Sequence, residues 1–179
     1  MKFNSWREPR KQIRLAEYNY KTPGYYFVTF CTEKRLCLFG EIINSAMLHN
    51  EAGRTIYNVF KNLRNFYFGI HTDTFVVMPN HIHAIIVIAQ EGRTQRSAPT
   101  GDSLSNVIKN IKTYTTRCYC TGVDQKNWTP FYKRLWQRGY YEHVIRDAKS
   151  LQKIREYIIQ NPLCWNLDPD NVKLAGTNL

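Results

Sequence analysis

Apolar positions along this chain follow two periods, one of two residues and one of three to four, and their alternation lays out the elements. Gly24–Cys31 (GYYFVTFC) is aromatic and β-branched, the composition of a strand in a buried sheet. A second strand is expected over residues 36–43 and a short one near Met47. Over residues 51–65 the period lengthens: Ile56, Val59, Phe60 and Leu63 share one helical face, with Asn50 placed to cap it. Residues 67–78 and 81–89 read as two further strands with Pro79-Asn80 between them. Residues 90–102 (QEGRTQRSAPTGD) are polar, carry Gly and Pro, and predict a surface loop. A helix follows over 103–119, with Leu104, Val107, Ile108 and Ile111 on one face and Lys109 and Lys112 off it. An aromatic and basic loop spans 127–141, and the last helix covers 147–161 until Pro162 stops it.

Adjacent strands joined by short turns imply a mostly antiparallel sheet, and the interleaved helices imply an α+β domain with helices packed on one face. The chain has 179 residues, the size of one domain, which buries roughly 70% of its unfolded surface without disulfide staples. No internal repeat or linker interrupts it. The division expected is a basic arm over 1–23, the domain over 24–165 and a tail over 166–179.

Charge then narrows the partner. With 25 Lys and Arg against 14 Asp and Glu the formal net charge is +11, which favours a polyanion such as nucleic acid. Arg7, Arg10, Lys11 and Arg14 in the arm and Arg93 and Arg96 in the loop are candidate phosphate contacts, although a solvated tail fits the arm equally well. The longest aliphatic run, residues 84–89, is too short to span a bilayer. The first residues (MKFNSWREPRKQIR) lack the apolar stretch of a signal peptide, so a cytoplasmic protein is expected. Five cysteines without C-x-x-C spacing read as free thiols rather than a zinc site.

Three constellations carry candidate chemistry. In Met78-Pro79-Asn80-His81-Ile82-His83 the two histidines lie two apart on a strand, so both imidazoles project from one face while Ile82 faces away. Such a pair is a platform for a divalent metal, and on spacing alone it also fits ordinary packing. On the last helix Tyr157 sits beside the apolar stripe Leu151, Ile154, Ile158, with Asn161 four residues on and on the same face. Alone, these fit a half-buried core tyrosine and a C-cap. The third is Leu135 to His143 with Lys133 and Arg134 before it. There Trp136 and Arg138 interleave ring and charge as a nucleic-acid face does, or as a loop pinned by its aromatics.

The ordered set MPNHIH, LWQRGYYEHVIRD and YIIQNP resembles the HUH single-tyrosine transposases of small bacterial insertion sequences, most closely the REP-associated tyrosine transposase branch. The resemblance covers about Gly24 to Pro162. It implies a ferredoxin-like or RRM-like antiparallel sheet whose central strand carries His81 and His83, and a separate C-terminal helix that delivers Tyr157 as nucleophile. It further implies a divalent ion, Mg²⁺ or Mn²⁺, with Asn161 as third ligand, and a single-stranded DNA substrate next to a hairpin. The stretch after Pro162 (LCWNLDPDN) departs from the pattern of the REP-associated branch.

With these roles, the ion polarises a scissile phosphate and imidazole ligands favour Mn²⁺ over Mg²⁺. A tyrosine with an ordinary pKa near 10 needs help to lose its proton, and Glu142 and His143 are the candidate bases. Attack would leave a 5′-phosphotyrosyl link and a free 3′ hydroxyl. The competing readings are a non-catalytic DNA or RNA hairpin binder on the same fold and a hydrolytic nuclease that uses water. The resemblance implies a nucleoid-associated monomer or homodimer.

Overall fold

The computed structural model describes residues 22–89 and 103–171. Among the described residues six strands and three α-helices run in the order β1 (Gly24–Cys31), β2 (Gly40–Ile43), β3 (Ala46–His49), α1 (Glu51–Lys61), β4 (Ile70–Val77), β5 (His81–Ile88), α2 (Leu104–Lys126), β6 (Tyr141–Ile145) and α3 (Ala148–Gln160). Four strands form one sheet in the order β4-β5-β1-β6, with every neighbouring pair antiparallel, and β2 and β3 pair as a separate hairpin. This is the α+β antiparallel architecture expected from the sequence.

β5 is the central strand for function, and all eight of its residues are buried. Ile82, Ala84, Ile86 and Ile88 point to one side and join the main core with Tyr26, Val28 and Phe30 of β1. That side is covered by α1, through Ala52, Ile56 and Phe60, and by α2, through Leu104, Val107, Ile108 and Ile111. The opposite side carries His81, His83 and Ile85. There Ile85 and Ile145 pack against Ile154 and Ile158 of α3. The helices expected on one face are thus α1 and α2, while the tyrosine helix covers the other.

Local signals fix the ends. Asn50 caps α1 by accepting from the Gly53 backbone N–H at 2.8 Å, and its amide donates to the Leu38 carbonyl. Gly53 has no room for a side chain, because a Cβ would lie 2.0 Å from the Phe39 carbonyl oxygen. Helix α2 runs seven residues beyond the expected end. Gly122 allows this: Trp128 folds back so closely that a Cβ at Gly122 would meet the indole at 2.2 Å, and Asn127 ends the helix in a left-handed turn. Residues 36–39 are not strand, since the Leu38 and Phe39 N–H groups both donate to the Pro79 carbonyl. β6 begins at the last residue of the expected loop and covers residues for which no element was expected.

Candidate active site

His81 and His83 project from the α3 side of β5, and their ring centroids are 4.5 Å apart. Each ring is oriented by a second hydrogen bond. The Asn80 side-chain amide donates to the carbonyls of Arg35 (3.1 Å) and Asp170 (2.7 Å), so its Oδ1 is the atom left to face His81 Nδ1 at 2.8 Å. A carbonyl only accepts, so Nδ1 carries the proton and Nε2 presents its lone pair to the site. His83 Nδ1 lies 2.7 Å from Thr29 Oγ1 on the neighbouring strand. When Nδ1 donates there, Nε2 is again the acceptor, and the Tyr157 hydroxyl donates to it at 3.2 Å.

Tyr157 reaches this point because α3 is held at its start and again just before the tyrosine. At its start the Asp147 carboxylate accepts from the Ser150 N–H and hydroxyl, both at 2.8 Å, and these bonds hold its carboxyl below the usual aspartate range. Further along, Arg155 makes a paired contact with Asp73 of β4 at 2.8 and 2.6 Å. That guanidinium draws the Asp73 carboxyl below its ordinary pKa. Asp73 stands where the β4–β5 register shifts between Thr72 and Phe75, a bulge that re-aims the side chain. Phe27 completes the tyrosine's surroundings, edge-on to its ring at 6.1 Å and stacked on His83 at 5.6 Å.

The third candidate ligand in this cluster is one the sequence reading missed. His81, His83 and Asp168, all buried, offer ligand atoms within 4.8 Å of one another. Asp168 Oδ2 is 3.8 Å from His81 Nε2. A lone pair facing a carboxylate across that gap suits a cation held between them. Asp168 belongs to the stretch expected as tail from residue 166, but the chain folds back as far as Asn171, and Asp168, Asp170 and Asn171 are buried. Asn161, the expected ligand, ends α3 one turn after Tyr157. It is 2% exposed, and its Oδ1 has no hydrogen-bond partner among the described residues. A buried amide oxygen with open acceptor capacity also fits a metal. It keeps helical geometry (φ −56°, ψ −41°) despite the proline that follows.

Two sequence expectations are corrected. Trp136 is 4% exposed, packed on Phe30 and Phe39, and donates from its indole to Thr115 Oγ1 at 2.9 Å. Its ring is spent on the core and has no face for a base. Glu142 pairs in register with Val28, which points into the α1/α2 core, so its carboxylate lies across the sheet from Tyr157 and cannot take its proton. His143 pairs with Phe27 and is on the tyrosine's side. Burial, and then the charge of Arg146, lowers its pKa.

Around Trp136 the basic loop lies against the end of β1 that pairs with His81. The Gln137 N–H donates to the Cys31 carbonyl, and Thr32 bridges to Trp136. Lys133 and Arg138 are exposed there, and Arg134 stands 3.8 Å from Glu33. Lys34 and Lys133 both sit over the ring of the exposed Tyr132, at 5.1 and 5.0 Å, a pairing not anticipated from sequence. Arg7, Arg10, Lys11, Arg14, Arg93 and Arg96 lie outside the described residues. No helix among the described residues is long and apolar enough to cross a membrane.

Comparison with known proteins bears on the family and the fold. The family described as Transposase IS200 like matches residues 24–161. A Haemophilus influenzae protein of uncharacterised function is 36% identical over 93% of this chain and 96% of its own length. A second protein of that organism, assigned by name to the REP-associated tyrosine transposases, is 26% identical over 54% of this chain and 52% of its own. The solved structure of a REP-associated tyrosine transposase bound to a REP hairpin aligns with a TM-score of 0.56. The alignment covers 82% of this chain and 70% of that one at 21% identity, a likeness of fold.

Proposed function

The chain belongs to the IS200-like transposases, and from that premise we propose that it cuts and rejoins single-stranded DNA beside a hairpin, with Tyr157 as the nucleophile. The transposase-type DNA activity is that of the family. The tyrosine mechanism rests on one observation above the rest: the Tyr157 hydroxyl stands 3.2 Å from His83 Nε2, beside a buried group suited to a metal.

In this reading the tyrosine oxygen attacks the scissile phosphorus in line and the 3′ oxygen leaves. The phenol gives up its proton and the leaving oxygen gains one, so the exchange is balanced without a co-reactant. The product is a 5′-phosphotyrosyl link and a free 3′ hydroxyl. Because the ester energy is kept, the 3′ hydroxyl of another strand reverses the step. Phe27 and the Arg155–Asp73 contact hold the ring and its helix, so the attacking oxygen arrives with little freedom left to lose. Of the two candidate bases, His143 is on the tyrosine's side of the sheet and Glu142 is not.

His81, His83 and Asp168, with Asn161 beside them, are the residues that would hold a divalent ion, Mg²⁺ or Mn²⁺. Such an ion, when bound, supplies Lewis-acid polarisation of the scissile phosphate, and the nitrogen ligands favour Mn²⁺. All of these groups and Tyr157 come from one chain, which supports cleavage by a single copy. The basic rim of Lys34, Lys133, Arg134 and Arg138, together with Arg7, Arg10, Lys11, Arg14, Arg93 and Arg96, is assigned to phosphate contacts. By analogy with the neighbour solved on a REP hairpin, the substrate proposed is single-stranded DNA next to a hairpin.

The test mixes protein, Mn²⁺ and 5′- or 3′-labelled hairpin DNA and looks for a denaturant-resistant adduct. Wild type should form one that retains the label 3′ to the cut, and Tyr157→Phe should form none. Cleavage that persists in Tyr157→Phe would mean that water is the nucleophile. Hairpin binding by wild type with neither cleavage nor adduct would favour the non-catalytic reading.

A further inference from the structure

We infer that the segment 165–171 is one wall of the metal site, and that Arg35 and Asn80 set the site's ion affinity through it although neither supplies a ligand. The inference rests on the reading of His81, His83 and Asp168 as metal-holding.

Three contacts tie the segment to the far side of the site, and a fourth joins the two residues that make them. Arg35 Nη2 pairs with Asp170 Oδ1 at 3.0 Å, and its Nη1 donates to the Pro169 carbonyl at 3.1 Å. Asn80 Nδ2 donates to the Asp170 carbonyl and to the carbonyl of Arg35 itself. Within the segment, the Asp170 N–H donates to Asp168 Oδ1 at 2.7 Å, and the Asp168 N–H donates to the Trp165 carbonyl at 3.1 Å. One oxygen of Asp168 is thereby fixed, and the other is aimed at His81 Nε2.

The same contacts act on the histidine. Because Asn80 spends its N–H donors on Arg35 and Asp170, its oxygen must face His81 Nδ1, which selects the tautomer whose Nε2 lone pair faces Asp168. The segment thus places the carboxylate and, through Asn80, orients the imidazole opposite it. Release of the segment would disturb two ligands together. Partners of this kind, one bond behind a ligand, typically change metal affinity by about ten- to a hundredfold. Arg35 and Asn80 are therefore positioning residues.

Mn²⁺ binding without DNA, read from the electron paramagnetic resonance amplitude of the free ion, tests this on the full chain. Arg35→Ala and Asn80→Ala should each weaken binding by about ten- to a hundredfold. In an Asp168→Ala background, Arg35→Ala should lose the part of its effect that passes through the carboxylate and keep only a smaller part that passes through Asn80 and His81. If Arg35→Ala does not fold, Arg35→Lys serves: it keeps the charge, loses one of the two contacts and should give an intermediate loss. Wild-type affinity in both Arg35 and Asn80 variants would overturn the inference and leave the metal site standing. An equal Arg35 effect with and without Asp168 would also overturn it, by showing general loosening. Absence of Mn²⁺ binding by wild type would overturn the metal reading itself and this inference with it.

Discussion

The two faces of β5 are built from the same strand and are equally buried, yet they solve different problems. On the α1/α2 side Ile82, Ala84, Ile86 and Ile88 belong to a cluster of apolar side chains, and shape dominates their packing. On the α3 side His81 and His83 are at most 1% exposed, and burial there requires a partner for each nitrogen. Asn80, Thr29 and Tyr157 answer three of the four nitrogens, and the fourth, His81 Nε2, faces the Asp168 carboxylate across a gap suited to a cation. An apolar face tolerates any filling of the right volume. A buried polar face works only as a connected set, and that set is what a reaction can use.

The contrast is sharpest between neighbours on the strand. His83→Ala should lower adduct formation by two orders of magnitude or more while the protein still melts cooperatively. Ile86→Ala, three residues away on the other face, should cost about 2–5 kcal/mol of stability and keep adduct formation per folded molecule. Thermal melts run beside the adduct assay separate the two. A His83→Ala variant with normal adduct yield would break the distinction.

The same logic separates Trp136 from Arg138, two residues apart in one loop. Trp136→Ala should destabilise by about 3–5 kcal/mol, because it empties a core position and leaves Thr115 without its donor. Arg138→Ala should leave stability nearly unchanged, weaken hairpin binding and flatten its salt dependence by about one unit of slope. Hairpin titrations at several salt concentrations would show this. Loss of stability in Arg138→Ala with an unchanged salt slope would count against the basic rim.

The smallest effect concerns the pin between the faces' frameworks. Asp73 has a lowered pKa in the folded state, so its contact with Arg155 stabilises fully above the unfolded aspartate value of about 4 and is lost as pH falls through the folded value. The pair is partly exposed, so its contribution is about 1 kcal/mol or less. Comparison of wild type with Asp73→Asn should show a stability gap at pH 7 that closes in acid. A gap that widened in acid would contradict the assignment.

Sequence reading succeeded where one residue type answers one local demand. Strand alternation placed His81 and His83 on one face, and Asn50 capped its helix as expected. It failed where long-range packing decides. Residues 141–145 lack a contrast between faces because an edge strand borrows its pairing from β1. Trp136 looked like a surface ring because the bases beside it are exposed, but Phe30, Phe39 and Thr115 come from distant parts of the chain. Asp168 was invisible because LCWNLDPDN has no period, and only its fold back onto Arg35 and Asn80 brings it to the histidines.

The central claim is that the face bearing the histidines delivers one tyrosine, and the most direct measurement is the identity of the modified residue. Tyr141, in register with Thr29 and exposed on the same side of the sheet, is the natural internal control. The adduct formed with Mn²⁺ and hairpin DNA is trapped, digested with nuclease and protease, and mapped by mass spectrometry. The account predicts the nucleotide on the peptide carrying Tyr157, with Tyr141 unmodified. A nucleotide on Tyr141, or on any residue other than Tyr157, would contradict it.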